Sequence, residues 1–489
     1  MTPTLFLTVF FLYVLAMIGL SLWISRRQKS GEDFLLGNRS IPLLLSLGTT
    51  VATLVGTGSS IGAVGQGYQN GWRGAMFGIG GGIGMLLLAK LFSNVRRYNF
   101  MTMSEEISFY YGANRWIKGL VAVFILLASI GWLGAHILGG SYYLQEVGGM
   151  DPVLAKATLA AAFGIYVIIG GYVAVVWTDT IQAVVLFIGF IIMAGFALGH
   201  VGGLSEITTA DKDHLAFLKG DDLLPSISLA VAIAIGVLGT PAYRQRIYSA
   251  DSPETVKKSF YLSGTLYLLF CILPAIIGIC VYMIDPTIKS PDLAFLVMAK
   301  NHLPIAIGLI VLVAGLSATL SSASSDAIAA VSILLRDIFI MCFGKVPDKH
   351  KMVSYSRWGL LGITVIAFAV TLPAQDIIKY IKVMISFVMS GLVVCAFMGK
   401  YWPRATWQGG IAAIIAGGGC TVAVKAAESV DQFWGGAAIP SLACATVAGV
   451  LLSLLTPANT VSDEQALEIL TSERQSMEIT AESVIKKTD

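Results

Sequence analysis

Charge is the scarcest thing in this chain. Asp, Glu, Lys and Arg make up only 12% of its 489 residues, against 56% hydrophobic residues. An ordinary soluble domain carries about 25% charge, so a water-soluble globule is excluded. With a mean hydropathy of +0.78, the chain reads as an integral membrane protein. Histidine (5) and cysteine (6) are too few and too scattered to suggest a metal centre. Cys271, Cys280, Cys342, Cys395, Cys420 and Cys444 never fall into C-x-x-C spacing. They lie mostly in apolar runs, where a lone cysteine packs as a small hydrophobe. No nucleophile–base pair and no phosphate-binding glycine loop stands out, which argues against an enzyme. The formal net charge of +3 is spread over many short loops, so no nucleic-acid surface is implied.

What the chain has instead is apolar length. Its hydrophobic stretches run roughly 20 residues, the reach of a helix across a bilayer, and lack the ten-residue alternation of a β-barrel. The pattern predicts an all-α integral membrane protein of about thirteen transmembrane helices. They are expected near 4–25, 41–69, 73–94, 117–147, 154–176, 178–201, 225–247, 257–284, 302–333, 354–373, 376–398, 407–426 and 436–456. Thr4–Ile24 is too long for a cleavable signal, and its positive charges, Arg26, Arg27 and Lys29, come after it.

Basic residues then divide the loops by side. Arg26, Arg27, Lys29 and Arg39 fall on one side, with Arg96, Arg97, Arg115, Lys118, Arg244, Arg246, Lys257 and Lys258. Arg336, Lys345, Lys349, Lys351, Arg357, Lys400 and Arg404 join them. The other side holds Lys212, Lys219 and Lys289, mixed with Asp211, Asp213, Asp221, Asp222, Asp285 and Asp292. This places the N-terminus outside and the C-terminus in the cytoplasm, in a multi-pass protein of the cytoplasmic membrane. The transmembrane domain is expected over residues 1–456. The polar, mildly amphipathic tail 457–489 is expected as a cytoplasmic helix or loose end and is given no chemistry.

Two spans are interrupted at matching places. One contains Val55-Gly56-Thr57-Gly58-Ser59-Ser60-Ile61-Gly62, the other Gly236-Val237-Leu238-Gly239-Thr240-Pro241, five spans later. Small residues alone serve helix packing. The five-span offset and the hydroxyls favour discontinuous helices whose freed carbonyls build a site at mid-membrane. A third signal is Gly315–Asp326, reading GLSATLSSASSD. Polar clusters at membrane depth usually face a cavity or an ion path, and hydroxyl, carbonyl and carboxylate oxygens are what a hard cation takes in place of water. Asp179, at the start of an apolar span, either caps a helix N-terminus or approaches that hydroxyl run to neutralise a cation.

Ile169-Gly170-Gly171-Tyr172 followed by Trp177-Thr178-Asp179 resembles a signature of the sodium:solute symporters, as does Gly315–Ser325 followed by Arg336-Asp337-Ile338. The resemblance runs from the first span to Trp407-Gln408-Gly409-Gly410. Tyr172 departs from the family's Gly-Gly-Leu, at a position not expected to touch an ion. The resemblance implies a leucine-transporter-like (LeuT) fold of two inverted five-helix repeats, about 41–201 and 225–398. Helices 1 and 6 of that core, counting the first span as zero, would be the broken ones, and 407–456 would be accessory.

It also implies sodium as the coupling ion. By motif matching, the site commonly called Na2 falls on the carbonyls of Ala52, Val55 and Ala318 and the hydroxyls of Ser321 and Ser322. Some members hold a second sodium between the aspartate and two further hydroxyls, here Asp179, Ser324 and Ser325. Two ions per cycle is therefore a live expectation, each worth about 2.3 kcal/mol per 100 mV. Asp326 lies one residue past that pair. It reads as an ion-site auxiliary, a hydrogen-bond partner within the bundle, or an inward gate residue.

Substrate contacts are expected from Thr57, Ser59 and Ser60, and from Trp132 and His136, which are four apart and share a helix face. The segment from Ala52 to Gly58 is similar to the choline-transporter branch, and Trp132 matches a tryptophan there. Leu54 and Thr240 stand where that branch has further tryptophans, so the aromatic cage a quaternary ammonium requires is incomplete, and choline is not assigned. Nor is there an arginine on the third core span of the kind that pairs an acidic sugar. The reading is sodium-coupled symport of a small organic solute by alternating access. Proton coupling through Asp179 or Asp326, and a transporter-like membrane sensor, are the alternatives.

Overall fold

A computed structural model describes residues 1–26, 31–209, 223–344 and 351–485. Among the described residues the chain is helical, with no strand and one isolated bridge between Ile41 and Ala250. The bilayer requires this, because each backbone group must find its partner within its own segment. Among the described residues, ten helices are long and apolar enough to span. The bent pair Leu223–Gly239 and Pro241–Ser249, at 42°, makes an eleventh.

Two of the ten are in fact two passes each. Pro152–Val201 is interrupted at Gly171, with φ 60° and ψ −166°. Tyr166 donates to Leu320 O at 2.9 Å, while Asp179 accepts from Ser325 at 2.9 Å. Thirteen residues of straight helix span roughly 20 Å, so these neighbouring contacts on one helix require the chain to double back. Gly58–Tyr98 breaks likewise at Gly71, with φ 60°. Dividing both at these glycines turns eleven spans into the thirteen that the hydropathy pattern leads one to expect.

Ile305–Ile333 is the central post. Every residue from Ala314 to Ile333 is buried, the mark of a helix surrounded by others. The first span reaches it through Tyr13, whose hydroxyl lies 2.8 Å from Ser317 Oγ. Tyr172, the departure from the family signature, bonds Ser249 at 2.7 Å and takes no part in the polar clusters described below.

The ends that carry most basic residues are tied together. Ile41 N–H donates to Ser249 O and accepts, through its carbonyl, from Asp251 N–H, both at 3.1 Å. Arg244 and Arg246, counted in the sequence as loop charges, are instead buried in Pro241–Ser249 at 1% exposure each. Arg244 pairs with Glu106 at 3.0 Å, and Tyr248 also donates to Glu106. A buried arginine needs a carboxylate to offset its desolvation; Arg244 has Glu106 and also lies 3.7 Å over the Phe92 ring. The tail forms the helix Asp463–Ile485 and docks on this end through Lys118–Glu473 at 3.1 Å and Arg474–Glu105. Arg27, Lys29, Lys212, Lys219, Lys345 and Lys349, with Asp211, Asp213, Asp221 and Asp222, lie outside the described residues.

At the opposite end, Asp292 accepts from Ile377 N–H at 3.2 Å and so joins the loop before the central post to the helix Ile377–Met384. Burial pushes its carboxyl up to about 7; the Ile377 N–H opposes the shift and nearby Asp376 adds to it. Because the folded value lies above the unfolded one, the neutral acid's contribution is complete below about pH 4 and lost as pH rises through about 7. Melting temperature should therefore fall between about pH 4 and pH 8, by on the order of a few kcal/mol of stability, and Asp292→Asn should flatten that slope. A second expectation concerns Gly171. Its φ and ψ lie in a region essentially reserved for glycine, and a Cβ would stand 2.7 Å from the Phe34 ring. Gly171→Ala should cost at least about 2 kcal/mol, whereas Gly199→Ala, with nothing within 4 Å, should be neutral in the same thermal assay.

Candidate functional site

The first broken span ends its first half at Leu54, and Val55 leaves the helix with φ −89° and ψ 62°. A helix end leaves its last carbonyls without helical donors, and each of these four is met. Val51 O accepts from Val55 N–H. Ala52 O accepts from Ser321 at 3.0 Å and from Ser322 at 3.4 Å. Thr53 O accepts from Ser322 at 3.2 Å, and Leu54 O from Ser59 at 2.9 Å. Ser321 and Ser322 also reach Ala318 O, each at 3.2 Å. The structure thus brings Ala52, Ala318, Ser321 and Ser322 together as a group. Val55 lies fully buried at the break itself, and the carbonyl joining Ala52's at Ser322 is that of Thr53. Gly56 is required here, since a Cβ would meet Ser322 Oγ at 2.7 Å.

Asp179, Ser324 and Ser325 also converge. Ser325 donates to Asp179 Oδ2 at 2.9 Å and Ser324 to Oδ1 at 3.4 Å. Two members of this cluster were not foreseen. Thr49 donates to Asp179 Oδ2 at 2.6 Å, and the Arg246 guanidinium enters the middle. Arg246 Nη2 lies 3.1 Å from Thr49 O, 2.7 Å from Thr49 Oγ1 and 2.5 Å from Thr53 Oγ1. Ser325 Oγ is 2.7 Å away and Asp179 Oδ2 3.4 Å. Five oxygens round one cationic nitrogen form the kind of shell a metal cation takes. The available signal was Arg246 five residues beyond Pro241, too close to the break to lie in a loop.

Beside the break is a small cavity of about 40 Å³. Ser59, Trp132 and His136 line it as expected, whereas Thr57 and Ser60 stand behind its wall. Thr57 bonds Thr319 at 3.1 Å and His136 Nδ1 at 3.0 Å, and Ser60 folds back onto Gly56 O at 2.9 Å. His136 Nε2 lies 3.2 Å from Asp326 Oδ2, so the reading of Asp326 as a bundle hydrogen-bond partner describes one of its oxygens. Phe77, Tyr243 and Tyr267 complete the lining and carried no sequence motif.

The arrangement of oxygens at a broken helix meets the comparison with known proteins here. A family model described as the sodium:solute symporter family matches residues 34–417. The chain belongs to this family. The sodium/proline symporter of Salmonella typhimurium is 24% identical over 95% of both chains. The sodium/pantothenate symporter of Haemophilus influenzae is also 24% identical, over 83% of this chain and 87% of that relative. The sodium/glucose cotransporter of Vibrio parahaemolyticus is 26% identical, over 83% and 82%. Among solved structures, a substrate-bound, outward-open Na+-coupled sialic acid symporter superposes with a TM-score of 0.81 at 19% identity, covering 94% of this chain and 99% of that one. MhsT in complex with L-phenylalanine superposes at 0.57 and 16%, over 84% and 98%. The fold is the LeuT fold with its two broken helices, and the chain is a sodium-coupled secondary transporter, not an enzyme.

Removing one partner of a buried ion pair strands the other. Arg246→Gln should therefore destabilise the protein by about 3–5 kcal/mol. Asp179→Asn added to it should restore part of that loss, read as a non-additive double-mutant cycle of melting temperatures.

Proposed function

We propose that this protein imports a small organic solute across the cytoplasmic membrane, with its N-terminus outside, driven by sodium bound at the first break. Ala52, Val55 and Ala318 would supply carbonyls, and Ser321 and Ser322 hydroxyls. The observation that carries this reading is the meeting of those two hydroxyls with the freed carbonyls of the interrupted helix. In the described conformation the hydroxyls bond the carbonyls directly. A hard cation replaces such contacts by drawing the same oxygens inward, so it fastens the broken span to the central post. Losing that contact as the inner side opens would release the ion. Substrate would sit beside the break, against Ser59, Trp132 and His136, with Thr57 and Ser60 supporting the wall.

Asp179, Ser324 and Ser325 support a second reading as a further sodium site, since all three converge on one point. Arg246 already brings a positive charge to that point. A second ion would require the guanidinium to withdraw, so one sodium per cycle is the expectation while Arg246 keeps its place. The fold likeness to a sodium-coupled sialic acid symporter adds nothing that separates the two.

Radiolabelled sodium binding to purified protein, at fixed pH, tests both readings. One ion per chain is expected. Ser321→Ala or Ser322→Ala should weaken its binding about tenfold or more, and Asp179→Asn should leave the count at one. Two ions in the wild type, falling to one with Asp179→Asn, would establish the second site instead. Absence of sodium binding at any pH would sink the coupling ion.

A further inference from the structure

The cavity beside the break holds one carboxylate oxygen with nothing to bond. Asp326 is 2% exposed, and its Oδ2 is engaged by His136. Its Oδ1 is buried and has no partner. A buried carboxylate oxygen left alone costs free energy in every state of the protein that retains it. Phe77, Trp132, Tyr243 and Tyr267 line the same cavity as Asp326.

The aromatic lining is closely set. A Cβ on Gly58 would overlap Phe77, one on Gly81 would overlap Tyr267, and one on Gly236 would lie 3.4 Å from Trp132 Cζ2. The missing side chains let these rings approach the backbone next to the break. Trp132 further stacks over His136, with ring centres 6.4 Å apart and planes at 18°. Its Nε1–H is buried and also without a partner.

The charge pattern is one-sided. Among the described residues that line the cavity there is no lysine or arginine. The buried guanidinium of Arg246 is not among the lining residues; its Nη2 faces the five oxygens of its cage, its Nη1 donates to Ala242 O at 2.8 Å, and its Nε has no partner. An anionic solute would find no cation here, and Asp326 would repel it. A cation would find a carboxylate oxygen and aromatic walls, the two groups that bind ammonium ions out of water.

We infer that the solute of this transporter is a small organic cation, a protonated or quaternary amine, whose charged nitrogen is bound by Asp326 Oδ1 within the ring set of Phe77, Trp132, Tyr243 and Tyr267. The inference rests on the symport reading above and narrows it. Trp132 Nε1–H is then the donor for an oxygen on the same solute. The incomplete tryptophan cage seen from Leu54 and Thr240 is no obstacle, because the rings come from other spans and a carboxylate adds what a tryptophan cannot.

Melting of the full-length protein in lipid nanodiscs, in sodium and in potassium buffer, tests this with defined probes. The probes are ethanolamine, choline, the uncharged choline isostere 3,3-dimethyl-1-butanol, and pantothenate as an anion. Ethanolamine or choline should stabilise the protein in sodium, and the isostere and the anion should not. Asp326→Asn should weaken the cation's apparent affinity about a hundredfold or more while preserving the shift produced by sodium alone. Phe77→Leu should weaken it about tenfold and serves if Asp326→Asn does not fold. Stabilisation by pantothenate or by the isostere matching that of the cations overturns the inference, as does a sodium response with no response to either cation. A cation response of equal size in potassium, with none to sodium alone, supports the solute class and overturns sodium coupling.

Discussion

The polar clusters at the centre of this membrane domain gather around one interrupted helix. Val55 and Gly56 break the first core span, and a break in hydrocarbon leaves carbonyls that no water can reach. The carbonyls of Ala52 and Thr53 are met by Ser321 and Ser322 from a different helix. That substitution makes a local backbone defect into a contact between two parts of the fold. It also explains why the hydroxyls are serines: small side chains let the helices approach, and a hydroxyl that donates to a carbonyl keeps lone pairs that can equally face a cation. The interaction is adjustable because each hydroxyl has a second acceptor, Ala318 O on its own helix.

Arg246 uses the same opportunity differently. It lies on the inner half of the second broken span and touches Thr49 and Thr53 of the first, Asp179 of the fifth core span and Ser325 of the post. One buried cation thus ties four core spans at a single level. A carboxylate among hydroxyls at this depth demands a positive charge. A tethered guanidinium and a diffusible ion are two solutions to that demand. The tethered one joins the helix that carries Arg246 to the one that carries Thr49 and Thr53, so any movement that parts them includes separating this ion pair.

The fold was legible because its signals are long. Spans of about 20 apolar residues, glycine breaks five spans apart and a hydroxyl run inside an apolar helix survive in one sequence without any contact information. The meeting of Ala52, Ala318, Ser321 and Ser322 was legible for the same reason, since Ser321 and Ser322 are adjacent and Ala52 precedes an evident break. Arg246 was misread because charge near a span end was counted as loop charge, and only packing shows that it points inward to Asp179. Phe77, Tyr243 and Tyr267 come from three spans with no shared spacing. Their meeting is a tertiary fact that no local pattern records.

Asp326 shows where adjacency in sequence misleads. Successive helical residues turn by about 100°, so Thr319, Ser322 and Asp326 fall on one face, and Ser317, Ser321, Ser324 and Ser325 on the other. The contacts follow that division. Thr319 reaches Thr57, Ser322 reaches the break, and Asp326 reaches His136. Ser317 reaches Tyr13, while Ser324 and Ser325 reach Asp179. Asp326 therefore lines the cavity beside the break although its sequence neighbours belong to the aspartate cage. The candidate sodium hydroxyls, Ser321 and Ser322, straddle the boundary, as Ser325 and Asp326 do one turn further on. An ion held there touches both faces at once. It is the position from which its presence can be felt by the cavity through Ser322 and the broken span, and by the inner ion pair through Ser321 and its neighbours. A rigid helix with two differently occupied faces is enough to link ion and solute without a separate relay.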